Sequence, residues 1–546
     1  VTFKEGGTNF TNSLLVGTSS TGTLNSADGN TGVGTGVLGA LTTGDDNVAV
    51  GLNALDLNTT GSENTAVGNK AMQGNTSGAG NVAIGKCALS ENNASNNTAV
   101  GHSAMETNTS GTQNTAMGAY ALDANTSAVE NTAFGDNALG ATTTGSYNTA
   151  VGSCSLSSQV SGAIGNTAVG RYALRANTSG DYNVAMGYGA LVANTTATDN
   201  IAIGRNAMVA NTTGAGNVAV GSFTLEASTD TVRNTMIGMQ AGGSLTGGAN
   251  GGDNVAVGFC ALRFGTTAGS NSALGSCALY ANTTGDTNTA VGASSLIANT
   301  TAAGNTAVGY NSLASNTTGA NNVAVGYGAL ILNNTGQNVA VGNHAFKSVT
   351  GAEGGVAVGY CAGAGVTSGA NNIAIGKCAG CTTTSGIANI AIGFLALKAA
   401  ATNNDEIVLG NQSTGKGAAT AFINAYGGPV YAGNNSANFS TTSDRRIKKN
   451  IVDNTTGLNK INQIQIKNFE YRLVNEITDF ENAESAVVKK QGIQVGVIAQ
   501  EIETILPDVV RTESTGVKTV DPGNLTWYMI NAIQELKKEI DLLKNK

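Results

Sequence analysis

A serine and a lysine near the end of the chain have the residue types and the spacing for covalent chemistry. Ser443 and Lys448 lie five residues apart in the stretch Ser-Asp-Arg-Arg-Ile-Lys-Lys-Asn-Ile, where the composition of the chain changes sharply. A serine hydroxyl acts as a nucleophile when a neighbouring base accepts its proton, and an uncharged lysine amine can be that base. The stretch therefore contains a candidate nucleophile and base. The same residues would also suit a surface turn that Ser443 caps.

The seven cysteines follow the periodicity of the chain rather than a disulfide pattern. Six of them stand two residues after a recurring glycine: Cys87, Cys154, Cys260, Cys277, Cys361 and Cys378. Stacked strands would place Cys260 over Cys277, and Cys361 over Cys378, about 4.8 Å apart, which permits a disulfide. Because Asn, Lys, Tyr and Ser occupy this position in other repeats, we favour free thiols. Cys378 and Cys381 form one Cys-x-x-Cys without a second pair, so no metal site is predicted.

The remaining chemistry-bearing side chains are scattered. His102 and His344 lie far apart, and neither has an acidic or nucleophilic neighbour in its own repeat. Acidic residues such as Asp136, Glu226 and Asp286 do not form the pair of carboxylates that polysaccharide cleavage requires. We therefore predict no cofactor, no metal and no catalytic groove in the long N-terminal part.

Charge divides the 546-residue chain into two parts. From Ser443 to Lys546, 30 of 104 residues are charged, with 15 Lys+Arg and 15 Asp+Glu, whereas residues 1–442 contain only 32 charged residues. No basic patch suited to nucleic acid is visible. No apolar run approaches the roughly 20 residues of a membrane span, so no membrane insertion is predicted. The sequence begins at Val1 rather than Met, which leaves open an attachment region before it.

A repeat dominates the first 410 residues. A glycine after an aliphatic residue recurs 24 times, from Gly17 to Gly410, at a spacing of 17 residues that becomes 16 twice, 18 once and 20 once. The unit reads Asn-(Thr/Val)-Ala-(Val/Ile)-Gly-x-x-Ala-Leu-x-x-Asn-Thr-(Thr/Ser)-Gly-x-x. Seventeen residues are too few for two packed helices, and the composition favours strands and turns. Each unit therefore predicts one coil of a parallel β-solenoid of about 24 coils.

Within the coil, Asn-Thr-Ala-Val-Gly predicts one short strand, Ala-Leu a second, and Asn-Thr-Thr-Gly the return loop, where the length varies. We expect the Val and Leu side chains in a thin core, and the Ala before the Val at a subunit interface. The recurrent asparagine should form a ladder of stacked amides; its members are Asn64, Asn81, Asn97, Asn114, Asn131 and Asn148. Stacked coils at about 4.8 Å each would form a rod of roughly 115 Å.

The Asn-Thr-Ala-Val-Gly-x-x-Ala-Leu unit resembles the head repeats of trimeric autotransporter adhesins, and similar repeats occur in phage tail fibres. The resemblance implies a left-handed parallel β-roll in a homotrimer. The period departs from that family, since it is 17 residues here and about 14–15 there, so the return loop must be longer.

The charged C-terminal part resembles the intramolecular chaperone domain of phage tail spikes, endosialidases and neck appendages. Four stretches carry this resemblance in order: Thr442–Lys448, Gly496–Val510, Val520–Leu525 and Trp527–Lys546. The resemblance implies that the domain holds three chains together and then cuts itself off, between Thr442 and Ser443, with Lys448 as the base and Lys449 as the fallback.

The spacing of the last apolar residues supports this oligomer independently. Met529, Ile533, Leu536, Ile540 and Leu543 are separated by 4, 3, 4 and 3 residues, which is the a/d seam of a coiled coil. The alternative is a helix that packs on its own domain.

The predicted organisation is a β-solenoid shaft (1–410), a linker or distal tip (411–442) and a self-cleaving α/β chaperone domain that ends in a coiled-coil helix (443–546). The predicted protein is a homotrimeric tail fibre or spike of an extracellular virion, with other tail components and a host surface receptor, a glycan or a protein, as partners. Its only predicted enzymatic activity is one turnover of serine-lysine autoproteolysis. The alternatives are a bacterial trimeric adhesin and an ice-binding solenoid with threonine ladders.

Overall fold

The architecture is that of a computed structural model of the whole chain. It describes residues 3–7, 10–17, 23–160, 162–247, 251–425, 428–432, 439–440, 445, 448–477, 491–512 and 517–545. The chain divides into two compact units, Val1–Thr441 and Thr442–Lys546.

The first unit is a parallel β-solenoid of about 24 turns, which confirms the predicted fold class. Strands β4 to β26 each contribute three or four residues, and every one is parallel to the next. They are Thr31–Val33, Val48–Val50, Thr65–Val67, Val82–Ile84, Thr98–Val100, Thr115–Met117, Thr132–Phe134, Thr149–Val151, Thr167–Val169, Val184–Met186, Ile201–Ile203, Val218–Val220, Thr235–Ile237, Val255–Val257, Ser272–Leu274, Thr289–Val291, Thr306–Val308, Val323–Val325, Val339–Val341, Val356–Val358, Ile373–Ile375, Ile390–Ile392 and Ile407–Gly410.

Variation in coil length leaves the strand register intact. Across the 18-residue spacing Ala150 pairs with Ala168, and across the 20-residue spacing Met236 pairs with Ala256. Each middle residue thus stacks on the middle residue of the next coil. The extra residues are accommodated in the return loops, as the sequence predicts.

Six further strands close the two ends of the same sheet. At the N-terminal end β1 (Phe3–Gly7) pairs antiparallel with β2 (Phe10–Val16), which runs parallel to β3 (Ala27–Asp28) and to β4. At the other end β27 (Ala421–Ala425) runs parallel to β26. It is followed by the antiparallel strands β28 (Gly428–Ala432) and β29 (Phe439–Ser440).

The strands present alternate residues to opposite sides, and the core is therefore narrower than predicted. In a three-residue strand only the middle side chain points inward. That residue is the alanine, and Ala49, Ala66 and Ala83 are fully buried. The valine that follows is partly or largely exposed; Val50 retains 36% of its surface. The predictions that the valine lies in the core and the alanine at a subunit interface are both wrong.

The Ala-Leu segment is a turn rather than a second strand. Leu55 and Leu89 are fully buried, yet their φ angles are 50° and 51°, in the left-handed region that few non-glycine residues adopt. The backbone N–H of Leu55 donates to the carbonyl oxygen of Ala71 in the next coil, at 3.0 Å. Stacking of the coils therefore holds this strained turn, and local β propensity does not describe it.

The predicted asparagine ladder is confirmed and buried. The side-chain oxygen of Asn64 accepts the backbone N–H of Asn81 at 3.0 Å, and the side-chain oxygen of Asn81 accepts that of Asn97 at 2.9 Å. A second buried ladder, which the sequence analysis missed, includes Asn58 and Asn75. Because buried polar groups without partners are costly, each coil depends on its neighbours for these hydrogen bonds.

The last coil ends the ladder with charged residues. Glu406 is fully buried and donates its backbone N–H to the side-chain oxygen of Asn389 at 2.9 Å. Its carboxylate accepts the backbone N–H of Gly417 at 2.9 Å. Burial lowers the pKa of the Lys398 amine, and the carboxylate of Glu406 opposes that shift. The amine of Lys398 donates to the carbonyl oxygen of Asn403. The side chains of Lys398 and Glu406 thus close the polar end of the stack.

The second unit contains short elements and one long helix. The helices are α1 (Leu458–Ile461), α2 (Ala499–Ile505) and α3 (Pro522–Lys544), with 3-10 turns at Val474–Glu476 and Pro507–Val509. Strand β30 (Lys467–Phe469) pairs antiparallel with β31 (Gln494–Gly496), and β32 (Val510–Thr512) pairs antiparallel with β33 (Lys518–Val520). This small α/β unit ends in a helix, as the sequence predicts.

Candidate functional site

The predicted cleavage site lies mostly outside the described residues. Thr442 and Ser443 both fall outside them, so the geometry of the Ser443–Lys448 pair stays a prediction. Lys448 and Lys449 are described and exposed. The backbone N–H of Lys448 donates to the carbonyl oxygen of Arg445 at 3.2 Å.

The chain downstream of these lysines is attached to helix α3. The side-chain amide of Asn531 donates to the carbonyl oxygens of Asn454, at 2.9 Å, and Thr456, at 3.2 Å. The backbone N–H of Leu458 donates to the carboxylate of Glu535 at 2.7 Å. A side chain at Gly457 would lie 2.5 Å from the same carboxylate, so a glycine suits this close approach. The basic stretch thus leads directly into a segment that the last helix holds in place.

The motifs quoted for the resemblance build the small core of this unit. Ile502 lies in α2, Leu506 follows it, and Val509 ends the 3-10 turn; all three are buried. Leu525 and Tyr528 of α3 pack against this cluster. The Gly496–Val510 stretch therefore provides the surface on which the last helix begins.

Polar contacts fix the start of helix α3. The carboxylate of Asp521 accepts the backbone N–H of Gly523 at 2.8 Å and caps the helix N-terminus. The hydroxyl of Tyr528 donates to the carboxylate of Asp508, and this hydrogen bond raises the pKa of Tyr528 above its usual value. The helix begins at Pro522, within the Val520–Leu525 stretch of the resemblance.

The predicted seam of helix α3 is exposed along its whole length. Its residues keep between 38% and 71% of their surface: Met529, Ile533, Leu536, Ile540 and Leu543. Ala532, which neighbours Met529 and Leu536 on the helix surface, is buried. The helix therefore packs on its own domain, as the alternative predicted, through Leu525, Tyr528 and Ala532, while the seam itself stays exposed in the single chain. A row of exposed apolar side chains of this length is typical of a surface that binds another protein.

The cysteines and candidate ligands of the first unit form no metal cluster in the part of the chain that the structure describes. All seven cysteines are present as thiols. Burial raises the pKa of Cys260, and the neighbouring Cys277 adds to the shift. Burial also raises the pKa of Cys381. Thiols with a raised pKa are poor nucleophiles.

None of the described helices is long and apolar enough to cross a membrane.

Comparison with known proteins assigns the second unit. Residues 443–511 match the family model described as the chaperone of endosialidase. No curated protein and no solved structure matches the chain significantly. The match begins at Ser443 and covers the basic stretch, α2 and the 3-10 turn at Pro507–Val509. Together with the β-solenoid, it supports a tail-fibre-type protein with a C-terminal chaperone domain.

Proposed function

We propose that the protein is the shaft of a virion tail fibre or spike that attaches to a host surface, and that its C-terminal domain trimerises it and then cuts itself off. The observation that carries this proposal is the chaperone match at residues 443–511, which follows directly on a long parallel sheet. Parallel strands pair slowly and are prone to pair out of register. A separate domain that aligns three chains would favour correct pairing.

The organisation proposed is a shaft (1–410), a linker or tip (411–442) and a chaperone domain (443–546). Three copies would join through the exposed seam of helix α3, since its 4-3-4-3 spacing suits a coiled coil. The partners would be a host surface glycan or protein and other tail components, and the location would be the extracellular virion. We propose neither a nucleic-acid partner nor insertion into a membrane.

The proposed cut is an acyl shift followed by hydrolysis. The hydroxyl oxygen of Ser443 attacks the carbonyl carbon of Thr442 while Lys448 accepts the hydroxyl proton. The peptide C–N bond then breaks, and that proton passes to the nitrogen of Ser443. Water hydrolyses the resulting ester, which leaves a carboxylate on Thr442 and restores the hydroxyl of Ser443. The attack is intramolecular, so the reactants need no separate binding step.

Assembly would control the reaction through the base. Free lysine is protonated at neutral pH and cannot accept a proton. Lys448 is exposed in the single chain. Burial between neighbouring chains, and the charges of Arg445, Arg446 and Lys449, would favour its neutral form. Cleavage should therefore follow trimer formation.

The two alternatives receive less support from the described coils. An adhesin would share the solenoid, but the chaperone match favours a tail fibre. Ice binding requires flat rows of free threonine hydroxyls. Here the hydroxyl of Thr59 donates to the carbonyl oxygen of Thr76 at 2.9 Å, and the hydroxyl of Thr195 donates to that of Thr212 at 3.0 Å. These loop hydroxyls stabilise the stack instead of facing water.

Mass spectrometry of freshly expressed full-length chain tests the cut. We expect two fragments, one ending at Thr442 and one beginning at Ser443. Ser443→Ala and Lys448→Ala should each give a full-length chain that still assembles. Cleavage of Ser443→Ala at the same bond would reject the proposed nucleophile. Normal cleavage of Lys448→Ala together with an uncut Lys449→Ala would move the base to Lys449.

A further inference from the structure

The outer face of the strand stack is a long, exposed and mostly apolar surface of the first unit. We define the strand face as the first and third residues of strands β4 to β26. Many of these side chains keep between 36% and 52% of their surface: Val33, Val48, Val50, Ile84, Met117, Phe134, Met186, Ile201, Ile203, Ile237, Val255, Val257, Leu274, Val341, Val358, Ile375 and Ile392. The middle residues between them are buried.

The strand face contains no charged residue in any strand from Thr31–Val33 to Ile407–Gly410. Charged side chains do occur on the return loops of the same coils, for example Asp46, Glu63 and Glu130, which are exposed. The low charge of the whole unit therefore does not explain why the strand face lacks charged residues and the return loops have them. The third residue is apolar in all 23 strands, whereas the first is Thr in ten of them and Ser in one. Water-facing sheets usually carry polar side chains, so the row of third residues has the composition of a covered surface.

The strand face is large enough for a stable interface. It comprises two residues from each of 23 strands, whereas a standard interface involves about 20–30 residues from each partner. Exposed apolar patches on monomers rarely exceed a few hundred Å². Burial of such a face would therefore contribute strongly to association.

The face repeats with the coil, and this periodicity identifies its occupant. Each strand adds one row of side chains at the spacing of stacked parallel strands, about 4.8 Å. The rows continue across the longer coils, because their strands stay in register. A partner that covers such a face from end to end must offer the same repeat. The surface with that repeat is the strand face of another copy of this chain.

We infer that the strand faces of neighbouring copies pack against one another along the shaft. The inference rests on the proposed homotrimer and assigns its shaft interface to the outward Thr, Val, Ile, Met and Phe side chains. It reverses the expectation that the buried alanines form the interface. The alanines fill the interior of each coil, and the side chains beside them bind the neighbouring subunits.

The eight methionines of the chain provide a test without altering the shaft. Met117 and Met186 lie on the strand face and keep 37% and 42% of their surface in the single chain. Met239 lies beyond its strand, after the turn at Gly238, and keeps 48%. Met529 lies in the seam of helix α3 and also keeps 48%. Four others are fully buried: Met72, Met105, Met208 and Met236.

Dilute hydrogen peroxide should be applied to the full-length Ser443→Ala chain, and sulfoxide measured peptide by peptide. In denaturant all eight methionines should oxidise at similar rates, which gives the reference. In the folded protein we expect Met239 to react, and Met117 and Met186 to be protected at least tenfold relative to it, like the four buried methionines.

The outcomes separate this inference from the proposed homotrimer. Protection of Met529 with fast oxidation of Met117 and Met186 would overturn the strand-face interface and leave a trimer joined at its helices. Fast oxidation of all three would overturn both. Protection of Met117 and Met186 supports the inference whether or not Met529 is protected.

Discussion

The solenoid and the C-terminal unit stabilise themselves by different means. Each coil from residue 31 to residue 410 buries a middle strand residue, and most coils contribute an asparagine to a buried amide ladder that the next coil continues. The C-terminal unit has one small buried cluster, Ile502, Leu506 and Val509, and a long helix whose apolar seam is exposed. The solenoid gains stability by adding coils. The C-terminal unit, with so small a core, would gain it by binding further chains.

The two units also differ in how much register information they contain. Any coil offers nearly the same strand, loop and ladder as any other, so strands of different chains could pair at many offsets. The last helix occurs once, and its seam is specific to its own sequence. Under the proposed function, this difference would explain why a repetitive shaft benefits from a non-repetitive domain that brings the chains together at one defined end.

The largest effect is expected from charges in the seam of helix α3. Ile533→Asp with Ile540→Asp should abolish assembly, because both side chains are exposed in the single chain and would be buried in a coiled coil. Light scattering should find no homotrimer but monomers or irregular aggregates, since the strand faces stay exposed, and the chain should stay uncut, since cleavage is proposed to require assembly.

Leu542→Asp is the matched control for that variant. Leu542 is 67% exposed but stands outside the 4-3-4-3 spacing. Leu542→Asp should therefore leave both assembly and cleavage unchanged. Equal loss of assembly in the control would show that a general loss of helix stability, and not the seam, causes the effect.

Substitution of a glycine that lies against the next coil should give the next largest effect, and it should affect the solenoid alone. Gly309 has a φ of +133°, and a side chain there would lie 2.5 Å from the carbonyl oxygen of Gly326. Gly309→Ala should lower the free energy of unfolding by about 3 kcal/mol, because it combines backbone strain with a clash against the next coil. Denaturant titration followed by circular dichroism measures this change.

Gly351→Ala provides the comparison within the same shaft. Gly351 has no positive φ, and the nearest atom to an added side chain, in Ser368, is 3.7 Å away. The expected change is at most a few tenths of a kcal/mol in either direction. A similar loss in both variants would show that the solenoid tolerates no added side chain, whatever the spacing between coils.

The sequence predicted the features that depend on periodicity and missed those that depend on the direction of side chains. The coil length, the parallel stack and the ladder through Asn64 all follow from a spacing of 17 residues. Hydrophobicity suggested that the valine of each strand lies inside. A strand of three residues can direct only one side chain inward, and the narrow interior accepts alanine there.

The left-handed leucines could not be predicted from residue preferences. Leu55 adopts a φ of 50° because contacts with the neighbouring coil offset a local cost, and propensity rules contain no such contacts. In the C-terminal unit the motifs predicted the order of the elements. The contact between Glu535 and Leu458 spans 77 residues of chain, and no local pattern indicates it.

Tyr528→Phe should give a smaller effect, confined to the C-terminal unit. The substitution removes the hydrogen bond to Asp508, and at this partly exposed position we expect a loss of about 0.5–1 kcal/mol. The raised pKa of Tyr528 means that the folded unit retains the hydroxyl proton more strongly than the unfolded chain. The contribution of this hydrogen bond to the free energy of unfolding is complete below the ordinary tyrosine pKa of about 10 and is lost as pH rises through the pKa of the folded unit.

Thermal unfolding of both proteins between pH 8 and pH 11 checks the tyrosine prediction. The C-terminal unit of wild type should be more stable than that of Tyr528→Phe at pH 8, and this difference should disappear towards pH 11. The unfolding transition of the solenoid should be the same in both proteins. A constant difference across this range would mean that ionisation of Tyr528 does not contribute.

The smallest expected effect is a gain of stability at a defect of the second amide ladder. Thr142 stands where Asn125 stands one coil earlier, and among the described residues its buried hydroxyl has no hydrogen-bond partner. Thr142→Asn would supply an amide to this ladder and should raise the free energy of unfolding by about 0.5 kcal/mol. Thr284→Asn, at an exposed loop position of another coil, should change nothing. A gain at Thr142 alone would show that each ladder residue contributes separately to the stability of the solenoid. A defect in one coil can then be corrected with the residue that other coils have at the same position. The C-terminal unit has no second copy of its core from which such a substitution could be read.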